Sequence, residues 1–210
     1  MMKLKRLEEL AQGNDGPAAT AAEMLAYFQL KIIGDYEAAV KSFQQLVKLD
    51  PRNETAWDLL AICWGMADKD EQSITVSKER LKQKDSAHKH FMLARCYERA
   101  GHVDQAEEQI RTGLNLEPDD FAANLSLASL LMRRGENSKA LAEAGSLLDK
   151  VRTSVTEQSP RDRKSDYASA RGLYLVLTGN TEEGRKHFHE SLKIDPENDL
   201  AHQALKILDQ

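Results

Sequence analysis

The chain has 210 residues, 41% apolar and 30% charged, with a formal net charge of -5. That length and apolar share can bury a core, while the acidic balance excludes a nucleic-acid binder working through a net basic face. No stretch approaches the ~20 apolar residues that span a bilayer, and Met1 to Gln12 carries Lys3, Lys5, Arg6, Glu8 and Glu9 among its leucines, which is not a secretory signal.

The location read from these features is cytoplasmic, without direct membrane insertion. In chain order, residues 3–12 read as an N-terminal helix with Leu4, Leu7 and Leu10 at helical spacing. Residues 1–19 hold this helix and a linker, and Pro17 sits where a preceding repeat would end. The segment is either a cap or half a repeat left from a longer chain. Residues 20–198 then fall into five segments, 20–53, 54–86, 87–120, 121–164 and 165–198, each reading as two amphipathic helices around a tight turn. Residues 199–210, apolar at Leu200, Leu205 and Leu208, read as a closing helix.

Two kinds of punctuation define these segments. Gly34, Asp68, Gly101, Gly135 and Gly179 open similar turns, spaced 34, 33, 34 and 44 residues apart. Pro51, Pro118 and Pro196 end three segments, each after an apolar–acidic pair such as Leu49-Asp50. Proline lacks an N–H and biases the residue before it away from helical geometry, so it stops the second helix. Glycine reaches the backbone conformation that closes the first. Both markers report the same roughly ten-residue insertion in the fourth segment, placed at residues 149–166 and predicted to lengthen one helix and then loop around Pro160.

The side chains repeat as well. The second segment contains Trp57-x-x-Leu60-Ala61-x-x-Trp64. The third contains Leu93-Ala94-x-x-Tyr97, then Gly101, Ala106 and Pro118. The fourth has Leu127-Ala128-x-x-Leu131, Gly135 and Ala140, and the fifth has Gly172-x-x-Leu175, Gly179, Gly184, Phe188 and Pro196. The first has Leu30, Gly34, Ala39, Phe43 and Pro51. This pattern resembles the tetratricopeptide repeat family over residues 20–198. The resemblance implies an all-α, right-handed α-solenoid of about five helix-turn-helix repeats, with an N-terminal helix and a C-terminal capping helix.

Small residues at one position of the first helices (Ala61, Ala94, Ala128, Gly172) and one of the second (Ala39, Ser73, Ala106, Ala140, Gly184) permit close helix approach. Three departures stand out. Tyr27 falls where the first repeat should have a small residue, so the register of that helix is open. Ser73, Ser77 and Arg80 make the second repeat the softest, and Arg171 replaces the usual leucine in the fifth.

Catalytic and metal motifs are missing. There is no phosphate loop, no Gly-x-Gly-x-x-Gly and no His-Glu-x-x-His. His88/His90 and His187/His189 are two apart, so on a helix each pair points to opposite sides and is read as solvated surface histidine. Asp68, Asp70 and Glu71 lack the glycine and final glutamate of a calcium loop. Cys63 and Cys96 occupy equivalent positions in neighbouring repeats, about 8–10 Å apart in stacked helices, beyond disulfide reach. The expectation is no enzyme, no cofactor and no metal.

In the resembled family the first helices line a groove. Its positions map to Met24, Phe28, Ile62, Met66, Phe91, Arg95, Arg99, Leu125, Ser129, Met132, Arg133, Leu173 and Leu177. The partner-binding candidates are Ile62, Phe91, Arg95, Arg99, Leu125, Ser129, Met132 and Arg133, an apolar set with an arginine cluster suited to an acidic and apolar protein segment. One family branch grips the carboxylate tail of cytosolic chaperones, and none of the three windows here carries its lysine and asparagine set, so that tail is not the expected partner. The function implied is a protein-interaction scaffold or adaptor. The alternative is a regulatory or substrate-presenting module detached from a larger enzyme or secretion assembly.

Overall fold

The structure, a computed structural model, describes residues 2–13, 16–135 and 138–209, with side chains from residue 5 onward. Glu136 and Asn137 of the fourth turn, and the side chain of Leu4, lie outside the described residues. The described residues form twelve α-helices and one π-turn, with no strand. In order these are α1 (Met2–Ala11), α2 (Gly16–Phe28), the π-turn (Gln29–Ile33), α3 (Tyr36–Leu49), α4 (Glu54–Met66), α5 (Asp70–Gln83) and α6 (Ala87–Arg99). They continue with α7 (Val103–Leu116), α8 (Phe121–Arg134), α9 (Ser138–Arg152), α10 (Arg161–Leu177), α11 (Thr181–Ile194) and α12 (Asp199–Leu208).

Contacts divide the chain into two compact bodies, residues 1–113 and 114–210. In the first, α1 packs on α2, and α2 through α6 pack successively on one another, with α4 also touching α6. In the second, α8 pairs with α9, α10 with α11, and α12 closes against α10 and α11. Helices packed side by side with their sequence neighbours are therefore present in both.

Helix ends follow local chemistry. Side-chain oxygens of Asp35, Asn53, Asp120 and Asn198 accept from backbone N–H groups three residues on, at 2.9, 2.9, 2.7 and 3.0 Å, which satisfies otherwise orphaned donors. The turn markers Gly34, Gly101, Gly135 and Gly179 all have positive φ, between 60° and 88°. Asp68 fills the same role at φ 57°, a conformation that aspartate tolerates better than most side chains. Pro17 lies in the first turn of α2, where its missing N–H costs little; it starts a helix rather than ending a repeat.

The open register of the first repeat has a physical cause. The π-turn (Gln29–Ile33) is wider than an α-helical turn and takes up one extra residue before Gly34. Upstream of it the small-residue position moves from Tyr27 to Ala26, which is fully buried. Tyr27 instead sits half out, its ring edge-on to Phe43 at 5.9 Å. The insertion also resolves differently from expectation. Its length is shared out: the loop at 153–160, ending at Pro160, has eight residues where the other repeats are joined by three or four, while α10 has 17 residues and α9 15, against 13 or 14 in the other repeat helices.

The small-residue positions are contact points. Ala39, Ala106 and Ala128 are fully buried, and Ala61, Ala94 and Ser73 nearly so; Ala140 is only half-buried. In the second body, a Cβ on Gly184 would lie 2.8 Å from the Gly172 carbonyl oxygen, so α10 and α11 approach at a distance only glycine allows.

Candidate functional site

The candidate binding residues divide between the bodies. In the first, Ile62 on α4 is half-buried, and Met66, one turn on, is exposed. Arg95 on α6 is exposed and makes no ion pair among the described residues; its Nη1 donates weakly to the Met92 sulfur, at 4.0 Å. On α2, Met24 and Phe28 are exposed, as are Ile32 and Ile33 of the π-turn. These side chains give the first helices of this body an apolar surface that its core does not use.

Phe91 and Arg99 are engaged within the body. Gly113 leaves a socket on α7, and a Cβ there would lie 2.2 Å from Phe91 Cε1. Phe91 therefore turns toward the second helix of its own repeat. Arg99 Nη2 bonds Asp68 Oδ1 at 3.0 Å and Arg99 Nε lies 3.0 Å from Asp70 Oδ1. Its side chain also covers Gly65, where a Cβ would be 2.8 Å from Arg99 Cδ.

In the second body, Leu125 and Ser129 are half-buried and Arg133 is exposed on the same side of α8. Met132 is only 3% exposed. It lies one helical turn beyond Ala128, which is fully buried, and shares that inward face. Met132 is a core residue, which corrects its assignment to the groove. Leu173 is half-buried and Leu177 exposed.

The histidine expectation also needs correction. His88 is exposed, its Nε2 2.6 Å from Asp58 Oδ2. His90 is buried, held between Gln109 at 2.8 Å and Asp85 at 2.9 Å. Spacing told that the two point apart; it did not tell that one points inward. No group of three metal-ligating side chains converges among the described residues.

Both cysteines are free and buried. Burial pushes the Cys63 thiol up to about 11, against a smaller opposing pull from Lys31. Cys96 lies 3.1 Å from Ser73 Oγ and 3.2 Å from Ser77 Oγ. This polar seam between α5 and α6 continues to Arg80 and Lys89, both buried; sequence reasoning noticed Arg80 and missed Lys89. No described helix is long and apolar enough to cross a membrane.

Comparison with known proteins gives a consistent picture. Patterns of the tetratricopeptide repeat match residues 20–53 and 91–154. Residues of this chain are 28% identical over 85 positions to Protein STIP1 homolog of Dictyostelium discoideum, covering 40% of this chain and 15% of that protein. The fold is similar to that of a tetratricopeptide repeat protein from Parabacteroides merdae, with TM-score 0.70 and 16% identity over 100% of this chain and 80% of that one. It is also similar to YrrB, described as a TPR protein with an unusual peptide-binding site, with TM-score 0.57 and 20% identity over 96% of each chain.

Proposed function

The chain belongs to the tetratricopeptide repeat family, and on that premise we propose that it is an interaction scaffold that holds an apolar and acidic segment of a partner protein on its first helices. One observation carries the proposal: large apolar side chains at first-helix positions stay exposed, Met24 at 57%, Met66 at 43% and Phe28 at 38%, and Arg95 on another first helix of the same body has no ion-pair partner among the described residues. An apolar surface of this kind favours burial on binding, at roughly 25 cal/mol per Å² before ordering costs. A guanidinium can meet a carboxylate in two parallel bonds, which fixes orientation. Ile62 extends the same surface along α4. In the second body Leu125, Ser129 and Arg133 offer a similar apolar and basic mixture along α8. Phe91 and Arg99 contribute by shaping the first body rather than by direct contact. The similarity to a fold whose members hold protein partners supports a binding role over a catalytic one, and the cytoplasm is the compartment that fits it.

The test is affinity capture from the native cell with the wild-type chain, Arg95→Glu and Met66→Ser, beside a control on a second helix, Lys78→Glu. A protein retained by wild type and Lys78→Glu, and lost from the two surface variants, supports the proposal. Equal retention by all four refutes this surface.

A further inference from the structure

Away from the first-helix surface, two buried cations meet in the first body with too little anion to satisfy them. Arg80 on α5 and Lys89 on α6 have side chains only 8% and 5% exposed. Buried charges need partners. Arg80 Nη1 donates to Gln83 Oε1 at 3.0 Å, yet its Nε and Nη2 make no hydrogen bond. That edge of a guanidinium is one that grips an oxyanion through two parallel bonds. The Trp57 ring stacks at 5.6 Å from Arg80 Cζ and holds the group in place.

Both cations rely on one oxygen. Glu54 Oε1 lies 3.3 Å from Arg80 Nη2 and 3.9 Å from Lys89 Nζ, and the Glu54 side chain is 61% exposed. The nearby carboxylates are committed elsewhere, Asp58 to His88 and Asp85 to His90. Lys89 Nζ also donates to the Lys84 carbonyl at 2.9 Å. Burial and the Arg80 charge hold Lys89 below the usual lysine range, with Lys84 adding to the repulsion and Glu54 and Asp58 opposing it. The site thus has a buried cationic floor and an exposed anionic side chain over it.

We infer that Arg80 and Lys89 form an oxyanion-binding site in which Glu54 is a displaceable stand-in for the carboxylate or phosphate of a ligand. Glu54 swings into solvent, and an incoming oxyanion takes the unbonded Nε–Nη2 edge of Arg80 and the Lys89 ammonium. This site is separate from the partner surface proposed above and stands or falls independently of it.

Thermal unfolding of the full chain tests it, titrating sodium phosphate and sodium acetate in parallel against sodium chloride at equal ionic strength. A saturable rise in Tm beyond chloride is expected with phosphate, acetate or both, and the salt that acts identifies the ligand chemistry. Glu54→Gln removes the competing charge and should lower the midpoint concentration about tenfold. Arg80→Lys keeps the charge but loses the paired edge and should raise it by a similar factor. If Arg80→Lys does not fold, the exposed Glu54→Gln variant decides alone. A rise no larger than with chloride, or a midpoint unchanged or higher in Glu54→Gln, overturns the proposal.

Discussion

Arg99 Nη2 lies 3.0 Å from Asp68 Oδ1, joining the end of α6 to the turn between α4 and α5, 31 residues earlier. Asp70 Oδ1 forms an ion pair with the same guanidinium at 3.0 Å, and Gly65 lies beneath the Arg99 stem. The contact pins a turn in which an aspartate, rather than glycine, holds φ at 57°. Arg99→Ala should therefore reduce stability by about 0.2–1 kcal/mol, the range for solvent-exposed ion pairs, and partner binding should be nearly unchanged. Denaturant unfolding at low and high salt checks this, because screening should shrink the difference.

Close helix approach makes a second prediction. Ala94 is 2% exposed and Ala128 fully buried. Leucine at either position overpacks a helix contact and should cost about 1–3 kcal/mol. Unchanged denaturation midpoints for both Ala94→Leu and Ala128→Leu would show that the repeat register is misplaced.

Local stability should be lowest at the ends and around α5. Its N-cap residue Lys69 provides no side-chain cap, and three of its four buried positions, Ser73, Ser77 and Arg80, are polar, with Ile74 the one aliphatic group. Repeats that contact only their neighbours open locally. Amide exchange is expected to be faster in α5 than in α6 and α8, and uniform exchange along the chain would contradict this.

Cys63 should be unreactive in the folded chain. Its thiol is pushed up to about 11 from an ordinary value of 9.0, and thiolate is the reacting form. Alkylation at pH 8 is expected to track unfolding. The sign for stability follows: the folded state keeps the proton longer, so this group's contribution falls as pH rises from 9.0 to about 11. Rapid modification of Cys63 in native conditions would contradict its burial.

Much of the fold was legible because its signals are local. A left-handed turn selects glycine, so Gly34, Gly101, Gly135 and Gly179 announced the helix pairs directly. Small residues likewise marked the contact between α10 and α11 at Gly172 and Gly184. What escaped depends on geometry that no short window carries. The extra residue in the π-turn shifted Tyr27 out of register, because residue counting assumes a constant helical pitch. Arg99 matched a groove position, but its acidic partners lie about thirty residues away in sequence. His90 and Met132 turned inward because helical spacing relates side chains to one another without saying which face meets the core. Lys89 looked like any surface lysine until α4, α5 and α6 enclosed it.

The partner-binding proposal rests most heavily on Arg95 and the exposed apolar side chains of the first helices. Once a partner segment has been identified, isothermal titration should compare wild type, Arg95→Glu combined with Met66→Ser, and a chain whose loop at 154–158 is replaced by glycine and serine. The double variant should bind at least about tenfold more weakly, and the loop replacement should bind like wild type. Salt should also weaken the wild-type complex, as expected for an exposed arginine meeting a carboxylate. Normal binding by the double variant, with binding lost on loop replacement, would contradict the first-helix surface and place the site at the insertion.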